Sequence, residues 1–444
     1  MTAAAVAKSK SPLAVRDFRL LWLGEAISTL GDQFTMIALP WLALLLTGSA
    51  LVLGTVMATM AVPRAVLMLV GGAYVDRLSP RRVMMLSNAT RLVVVATLGV
   101  VTLSGNAQLW MLYAFALVFG IADAFFYPAN TAIVPELVDD AQLEKANGLV
   151  QGTAQMSMLV GPVLAGLAIA MLGTGGATPG QSGIAAALLL DALTFVASLT
   201  ALFFIARRPG HAAASGSAIK QIGEGVRFVK SFPALRLVMV MSMLMNLLIV
   251  GPFEVGLPVL VYGRLPEGAT AFGLISAAFG GGSLVGMAAV MILPALSPRN
   301  FGWVKLVVIA AAGVIAAAFG LVYSTLVAIA LGAAVGVLIG YTNLSFISWV
   351  QRRVPRQLMG RVMSLMMFGS LALTPISMAV AGAVVTINLT GTFLVAGLGM
   401  SAVALLGLLA SSLRNMGFAP ELAPDETPTA DTAPTQGVEV VPAA

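Results

Sequence analysis

The chain has no cysteine and a single histidine, His211. The first absence excludes disulfides, thiolate metal sites and a cysteine nucleophile; the second excludes a paired-histidine metal motif. No dinucleotide loop is present either, so neither enzyme activity nor a metal or other cofactor is expected. Charge is scarce as well. Asp, Glu, Lys and Arg make up 9% of the 444 residues, where a soluble domain carries about 25%. Hydrophobic residues reach 59% and mean hydropathy is +0.98, which excludes an ordinary soluble fold.

What the chain has instead is long apolar stretches. A helix needs about 20 apolar residues to cross a bilayer, and twelve such stretches can be laid out: 20–46, 50–75, 83–103, 109–130, 147–172, 183–206, 236–262, 270–294, 303–323, 325–350, 360–386 and 391–413. The predicted fold class is therefore an all-α polytopic membrane protein with 12 transmembrane helices. Every Lys and Arg except Arg64, Arg91 and Arg264 lies before the first stretch, or in every second gap after it or the first three residues that follow such a gap. They are Lys8, Lys10, Arg16 and Arg19, then Arg77/Arg81/Arg82, Lys145, Arg207 to Arg236, Arg299/Lys305, Arg352 to Arg361, and Arg414. Short basic loops stay cytoplasmic, so the expectation is a multi-pass protein of the cell (inner, cytoplasmic) membrane with both termini cytoplasmic. The net charge of +6 then reports topology, and no nucleic-acid partner is expected. The first stretch is too long for a cleavable signal, and no small-residue cleavage site follows it.

A basic, Gly- and Ala-containing break divides the chain into a cytoplasmic N-terminus (1–19), a six-helix bundle (20–206), a cytoplasmic linker (207–235), a second six-helix bundle (236–414) and an acidic, Pro/Thr/Ala-rich tail (415–444) expected to be disordered. Two six-helix halves suggest parallel, pseudo-symmetric repeats of the kind seen in rocker-switch transporters. A faint echo agrees: Val134-Pro135 and Val354-Pro355 each precede a Gly/Ser/Met-rich helix with one proline, Pro162 and Pro375. Glycine runs such as Gly280-Gly281-Gly282 read as close helix packing in a membrane rather than as phosphate loops.

The gap between the second and third stretches reads Gly71-Gly72-Ala73-Tyr74-Val75-Asp76-Arg77-Leu78-Ser79-Pro80-Arg81-Arg82. It resembles the signature loop of the major facilitator superfamily. Flanking text resembles that family's drug and siderophore exporter branch, which includes enterobactin exporters and macrolide efflux proteins: Leu21-Trp22-Leu23-Gly24, Ile27 to Asp32, Gly120 to Ala129, Leu143 to Asn147, Asp191 with Phe195 and Ser198, and Gly360-Arg361-Val362. Asp76 and Arg77, with Gly72, Arg81 and Arg82 around them, sit where a pair with a neighbouring helix end can hold the cytoplasmic face shut. The resemblance implies that an acidic residue of the fourth helix, Asp123, completes this latch. Ser157 to Gly166 resembles the antiporter motif of exporters through Gly161, Pro162 and Gly166, although Ser157 and Ala165 stand where the motif has glycine. Export by antiport is what that motif implies.

Ionisable groups at membrane depth are costly and mark function by default. They are Glu25, Asp32, Arg64, Arg91, Asp123, Asp191 and Glu254. Asp32 should lie roughly 18–20 Å into its helix at ~1.5 Å per residue, with Arg64 as a plausible partner, and it is the leading proton-linked carboxylate. Glu254, Glu25 and Asp191 follow; the resemblance implies Asp32 and Asp191 as typical positions. A carboxylate buried without a cation holds its proton more tightly and can shuttle it. Asn246, Gln155, Asn343, Tyr341 and Tyr127, beside Phe125 and Phe126, are expected to face a wide cavity suited to amphiphilic molecules. The expected function is a monomeric secondary transporter exporting small molecules by proton antiport through alternating access, its partners being substrate, protons and the lipid bilayer. A lipid or lysolipid flippase of the same fold, and a nutrient importer, are the alternatives.

Overall fold

Each of the twelve apolar stretches forms a helix long enough to cross a membrane. The computed structural model of the chain describes residues 11–173, 181–206, 232–294, 296–354 and 356–418, with side chains except at 68–78, 356–358, 360, 361, 364, 367 and 368. Residues 1–10, the linker residues 207–231 and the tail residues 419–444 fall outside the described residues. The first half comprises α1 (Arg16–Thr47), α2 (Ala50–Leu78), α3 (Pro80–Leu103), α4 (Leu109–Leu137), α5 (Asp140–Leu172) and α6 (Gln181–Phe204). The second comprises α7 (Pro233–Arg264), α8 (Ala269–Ile292), α9 (Pro298–Ala318), α10 (Thr325–Arg353), α11 (Arg356–Ala372 continued by Thr374–Ile387) and α12 (Leu389–Gly407).

Several helices outrun their apolar stretches at the end of the bundle that carries the chain termini. α4 continues to Leu137 and α5 begins at Asp140, whereas hydropathy ends the one at 130 and starts the other at 147. Hydropathy senses only the hydrocarbon slab, while a helix continues into the polar layer until its backbone is capped or turned. Acidic Asp140 in the first turn of α5 suits the positive end of that helix.

The halves repeat one packing pattern. α2 packs on α4 and α3 on α6 in the first half; α8 packs on α10 and α9 on α12 in the second. The contacts between halves obey the same two-fold relation, α5 against α8 and α2 against α11. These are the pairs that a six-helix offset exchanges. Arg264, the single basic residue in the terminus-distal gaps, donates to the Gly320 carbonyl at 2.7 Å and to Thr390 Oγ1 at 2.8 Å, tying three helix ends of the second half together. Lys305 is not a surface anchor. It is 4% exposed, and its Nζ donates to the Thr342 carbonyl at 2.8 Å, because α9 begins earlier than its apolar stretch and carries Lys305 inside the bundle.

The halves meet tightly at the end away from the termini. A Cβ on Gly273 of α8 would lie 2.2 Å from the Pro162 carbonyl of α5, and one on Gly54 of α2 would lie 2.7 Å from Cα of Gly382 on α11. Only hydrogen fits at such crossings. Trp41 of α1 and Tyr262 of α7 close the same end, edge to face at 5.5 Å. Toward the termini α5 leaves open space at Gly148 and Gly152. The structure is thus closed at one end and splayed along α5 at the other. Gly273→Val should block the α5–α8 crossing and shift the protein away from this state. Spin labels on Leu51→Cys and Ile387→Cys, both at exposed positions of the closed end, check it free of background because the chain has no native cysteine. Their separation should grow in the Gly273→Val protein.

Candidate functional site

The charged side chains of the first half gather in its interior. Arg91 of α3 is 1% exposed and donates through Nη2 to Asp123 of α4. Its guanidinium lies over three rings, with Phe126 at 4.1 Å, Phe119 at 5.4 Å and Phe195 of α6 at 5.8 Å. Arg64 of α2 approaches the other oxygen of Asp123 at 3.9 Å and lies 4.5 Å from the Tyr127 ring centroid. The Nε of each arginine is buried without a hydrogen-bond partner. One carboxylate therefore serves two cations, supplemented by aromatic faces that attract positive charge.

The other carboxylates are held by neutral groups. Asp191 of α6 is fully buried and accepts from Thr35 of α1 and from Thr194 at 3.2 Å. Glu25 of α1 accepts from Ser198 at 2.9 Å, and Ser198 accepts from Asn88 of α3 at 2.9 Å. The spacing of Asp191, Thr194, Phe195 and Ser198 places all four along α6 where it meets α1 and α3. Asp32 of α1 differs. Its Oδ1 is buried with no hydrogen-bond partner, and among the described residues it forms no ion pair. Four carboxylates (Glu25, Asp32, Asp123, Asp191) thus face two guanidiniums, and Asp123 takes both ion pairs.

This corrects the expected Asp32–Arg64 pair: Arg64 bonds to Asp123, whose helix α4 packs directly on α2. Arg91, visible from its depth in the sequence but assigned no role there, is the cation at the centre of the network. Asp123, expected in the latch, bonds here to Arg91 and Arg64. It lies midway along α4, about 21 Å from Leu137 at ~1.5 Å per residue, whereas Asp76 precedes the end of α2 by two residues. Glu136 is the carboxylate of α4 nearest that helix's end. Arg81 of the same loop reaches the end of α6. Its Nε and Nη2 donate to the carbonyls of Leu202 and Phe203 at 2.7 and 2.9 Å, capping the C-terminus of α6. Arg82 is exposed at the mouth of a surface recess with Met85, Leu86 and Phe203. The side chains of Asp76 and Arg77, like Gly72, lie outside the described ones.

The residues expected to face a cavity divide. Tyr127 carries Arg64 on its ring, and Gln155 of α5 reaches Met287 Sδ of α8 at 3.8 Å, bridging the halves. Asn246 donates to Ser242 of its own helix at 2.8 Å, and Asn343 is exposed on α10. Glu254 sits in a π-helical turn, Pro252–Gly256, that interrupts α7. It is exposed, and the turn that carries it packs against α2, the helix of Arg64 in the other half. The α5 motif builds the closed end. Beside the Pro162–Gly273 crossing, a Cβ on Gly166 would lie 2.7 Å from the Ala269 carbonyl, and one on Gly161 would lie 2.4 Å from Gln33 Cγ. Gly161 thus serves packing within the first half, while Pro162 and Gly166 form the contact between halves.

Comparison with known proteins agrees with this architecture. The chain is 26% identical over 412 residues to the multidrug efflux pump Tap of Mycobacterium tuberculosis, covering 90% of this chain and 95% of the pump. It is 27% identical over 423 residues to the Tap pump of Mycolicibacterium fortuitum, covering 92% and 98%. A crystal structure of a bacterial homologue of the iron transporter ferroportin, in an inward-facing state, superposes with a TM-score of 0.65 at 18% identity, covering 88% of this chain and 98% of that one. A bacterial homologue of the lysosomal transporter Spinster, inward-facing and occupied, gives 0.67 at 13% identity, covering 92% and 97%. The profile of the Major Facilitator Superfamily matches residues 21–378. With twelve spanning helices in two repeated halves and a family profile over most of its length, the chain belongs to the Major Facilitator Superfamily and is a membrane-embedded transporter, not an enzyme.

Proposed function

We propose that this transporter exports small amphiphilic molecules by proton antiport, as a monomer in the cytoplasmic membrane with both termini inside the cell. The observation that carries the coupling is Asp32, whose Oδ1 is buried and unpartnered in a network where Asp123 already occupies both guanidiniums. An anion without its own counter-charge in a low-dielectric interior costs several kcal/mol, and taking a proton removes that cost. A group so placed changes occupancy when a cationic substrate or a rearranged arginine alters the local field. Export rather than import is supported by the relatives, which are named multidrug efflux pumps, and by the α5 motif between the halves. The basic residues at the termini end support the orientation. With that end inside, the splayed side of α5 opens to the cytoplasm, where an exporter loads.

Two six-helix halves with one packing pattern cross the membrane within one chain, so a translocation path needs no second copy. Everted membrane vesicles containing the protein test the proposal. A fluorescent amphiphile such as ethidium should accumulate when respiration acidifies the lumen, and an uncoupler should collapse the accumulation. Transport indifferent to the uncoupler, or movement of a fluorescent phospholipid in its place, would overturn coupled export in favour of a flippase.

A further inference from the structure

The membrane-spanning part of the second half contains one carboxylate. Between Phe232 and Phe418 the only acidic residues are Glu254 and Glu267, and Glu267 lies in the short turn between α7 and α8. The π turn at Pro252–Gly256 determines where Glu254 goes. It is braced from α11: the Gly251 N–H donates to Ser377 Oγ at 2.7 Å, and the Ser377 hydroxyl donates to the Leu247 carbonyl at 2.6 Å. Phe253 then packs edge-on against Phe319 at 5.3 Å and Phe393 at 5.8 Å, and Val255 is fully buried. Glu254 is left on the other side of the helix, exposed, in a turn that packs across the halves against α2, the helix that carries Arg64. Single π turns recur where a helix must aim a side chain at a ligand.

The charge on Arg64 is borrowed. That guanidinium already serves Asp123 at 3.9 Å and covers the Tyr127 ring at 4.5 Å, and among the described residues no ion pair includes Glu254. A guest cation arriving between the halves meets an anion on one wall. If it displaces Arg64 toward Asp123, it also meets an uncovered aromatic face on the opposite wall. An anionic guest would gain nothing from either. We propose that Glu254 is the subsite for the positively charged group of the substrate, and that the preferred substrates are organic monocations of delocalised or alkylated charge, seated between Glu254 and Tyr127. Such cations shed water at little cost, which suits a half whose spans hold no other carboxylate. The inference rests on the reading of the inter-half space as the substrate path; it assigns Glu254 to substrate and leaves the proton to Asp32.

Purified protein in lipid nanodiscs, tested for binding of tetraphenylphosphonium and of the uncharged triphenylphosphine oxide, decides the point. Glu254→Gln should weaken tetraphenylphosphonium binding about tenfold, leave triphenylphosphine oxide unchanged, and leave thermal stability near wild type. Glu254→Asp, which keeps the charge, should recover most of the affinity. Equal tetraphenylphosphonium affinity in wild type and Glu254→Gln would overturn the proposal. So would absence of binding to wild type, or an equal loss of both probes that Asp does not rescue. Glu254-dependent binding in a protein whose vesicle transport ignores the proton gradient would refute antiport and leave this subsite standing.

Discussion

Asp123→Ala is expected to cost about 3–5 kcal/mol of stability, the usual penalty for stranding a buried charge. Asp123 is the hydrogen-bonded partner of Arg91, which is 1% exposed and otherwise faces aromatic rings. Cation–π contacts worth about 0.5–2 kcal/mol each do not replace a carboxylate in a site that water cannot enter. Arg64, whose side chain is 26% exposed, can turn toward water and contributes less to the loss. The measurement is unfolding in mild detergent, followed by thermal aggregation or by denaturant titration. A double variant, Asp123→Leu with Arg91→Met, should regain most of the stability, since an apolar pair of similar volume needs no counter-charge. A single variant as stable as wild type, or a double variant no better than the single, would show that the pair is not what holds α3 and α4 together.

Asp32→Asn is expected to abolish uphill transport while sparing the fold. The amide nearly matches the carboxylate in shape and removes its titration. Because Oδ1 of Asp32 has no hydrogen-bond partner, little bonding is lost with it. The network then retains Glu25 and Asp191, each held by hydroxyl donors, and the Asp123 ion pairs. Substrate-induced proton release from unbuffered detergent solution should be present in wild type and absent in Asp32→Asn, while substrate binding persists. Downhill exchange should survive as well. Equal release from both proteins would move coupling to another carboxylate, with Glu25 next in line because it lies on the same helix two turns away.

The site was legible by residue type and depth but not by pairing. Burying an ionisable group costs the same wherever it occurs along a hydrophobic helix, so Glu25, Asp32, Arg64, Arg91, Asp123, Asp191 and Glu254 all stand out from the apolar background. Partnership depends on which helices pack and at what rotation. Arg64 meets Asp123 because α2 packs on α4, and Ser198 reaches Glu25 because α6 packs on α1. The family resemblance pairs Asp123 with the loop after α2, while packing joins it to Arg91 and Arg64 at the middle of α4. Lys305 looked like a loop anchor until α9 began at Pro298 and drew it inside.

The sequence alone determined the span count and the two-half division. Hydrocarbon thickness sets how many apolar residues a crossing needs, and each backbone group must bond within its own helix, so these properties depend on local composition alone. The sequence also determined which prolines and glycines would matter, because only they remove a donor or a Cβ. Tertiary structure decided which glycines face another backbone, which end of the bundle is closed, and which carboxylate keeps no cation. It also decided that a π turn in α7 aims Glu254 across to the other half. Those outcomes depend on distances between helices far apart in the chain, and a distance between helices is a property of packed side chains that no local stretch of sequence contains.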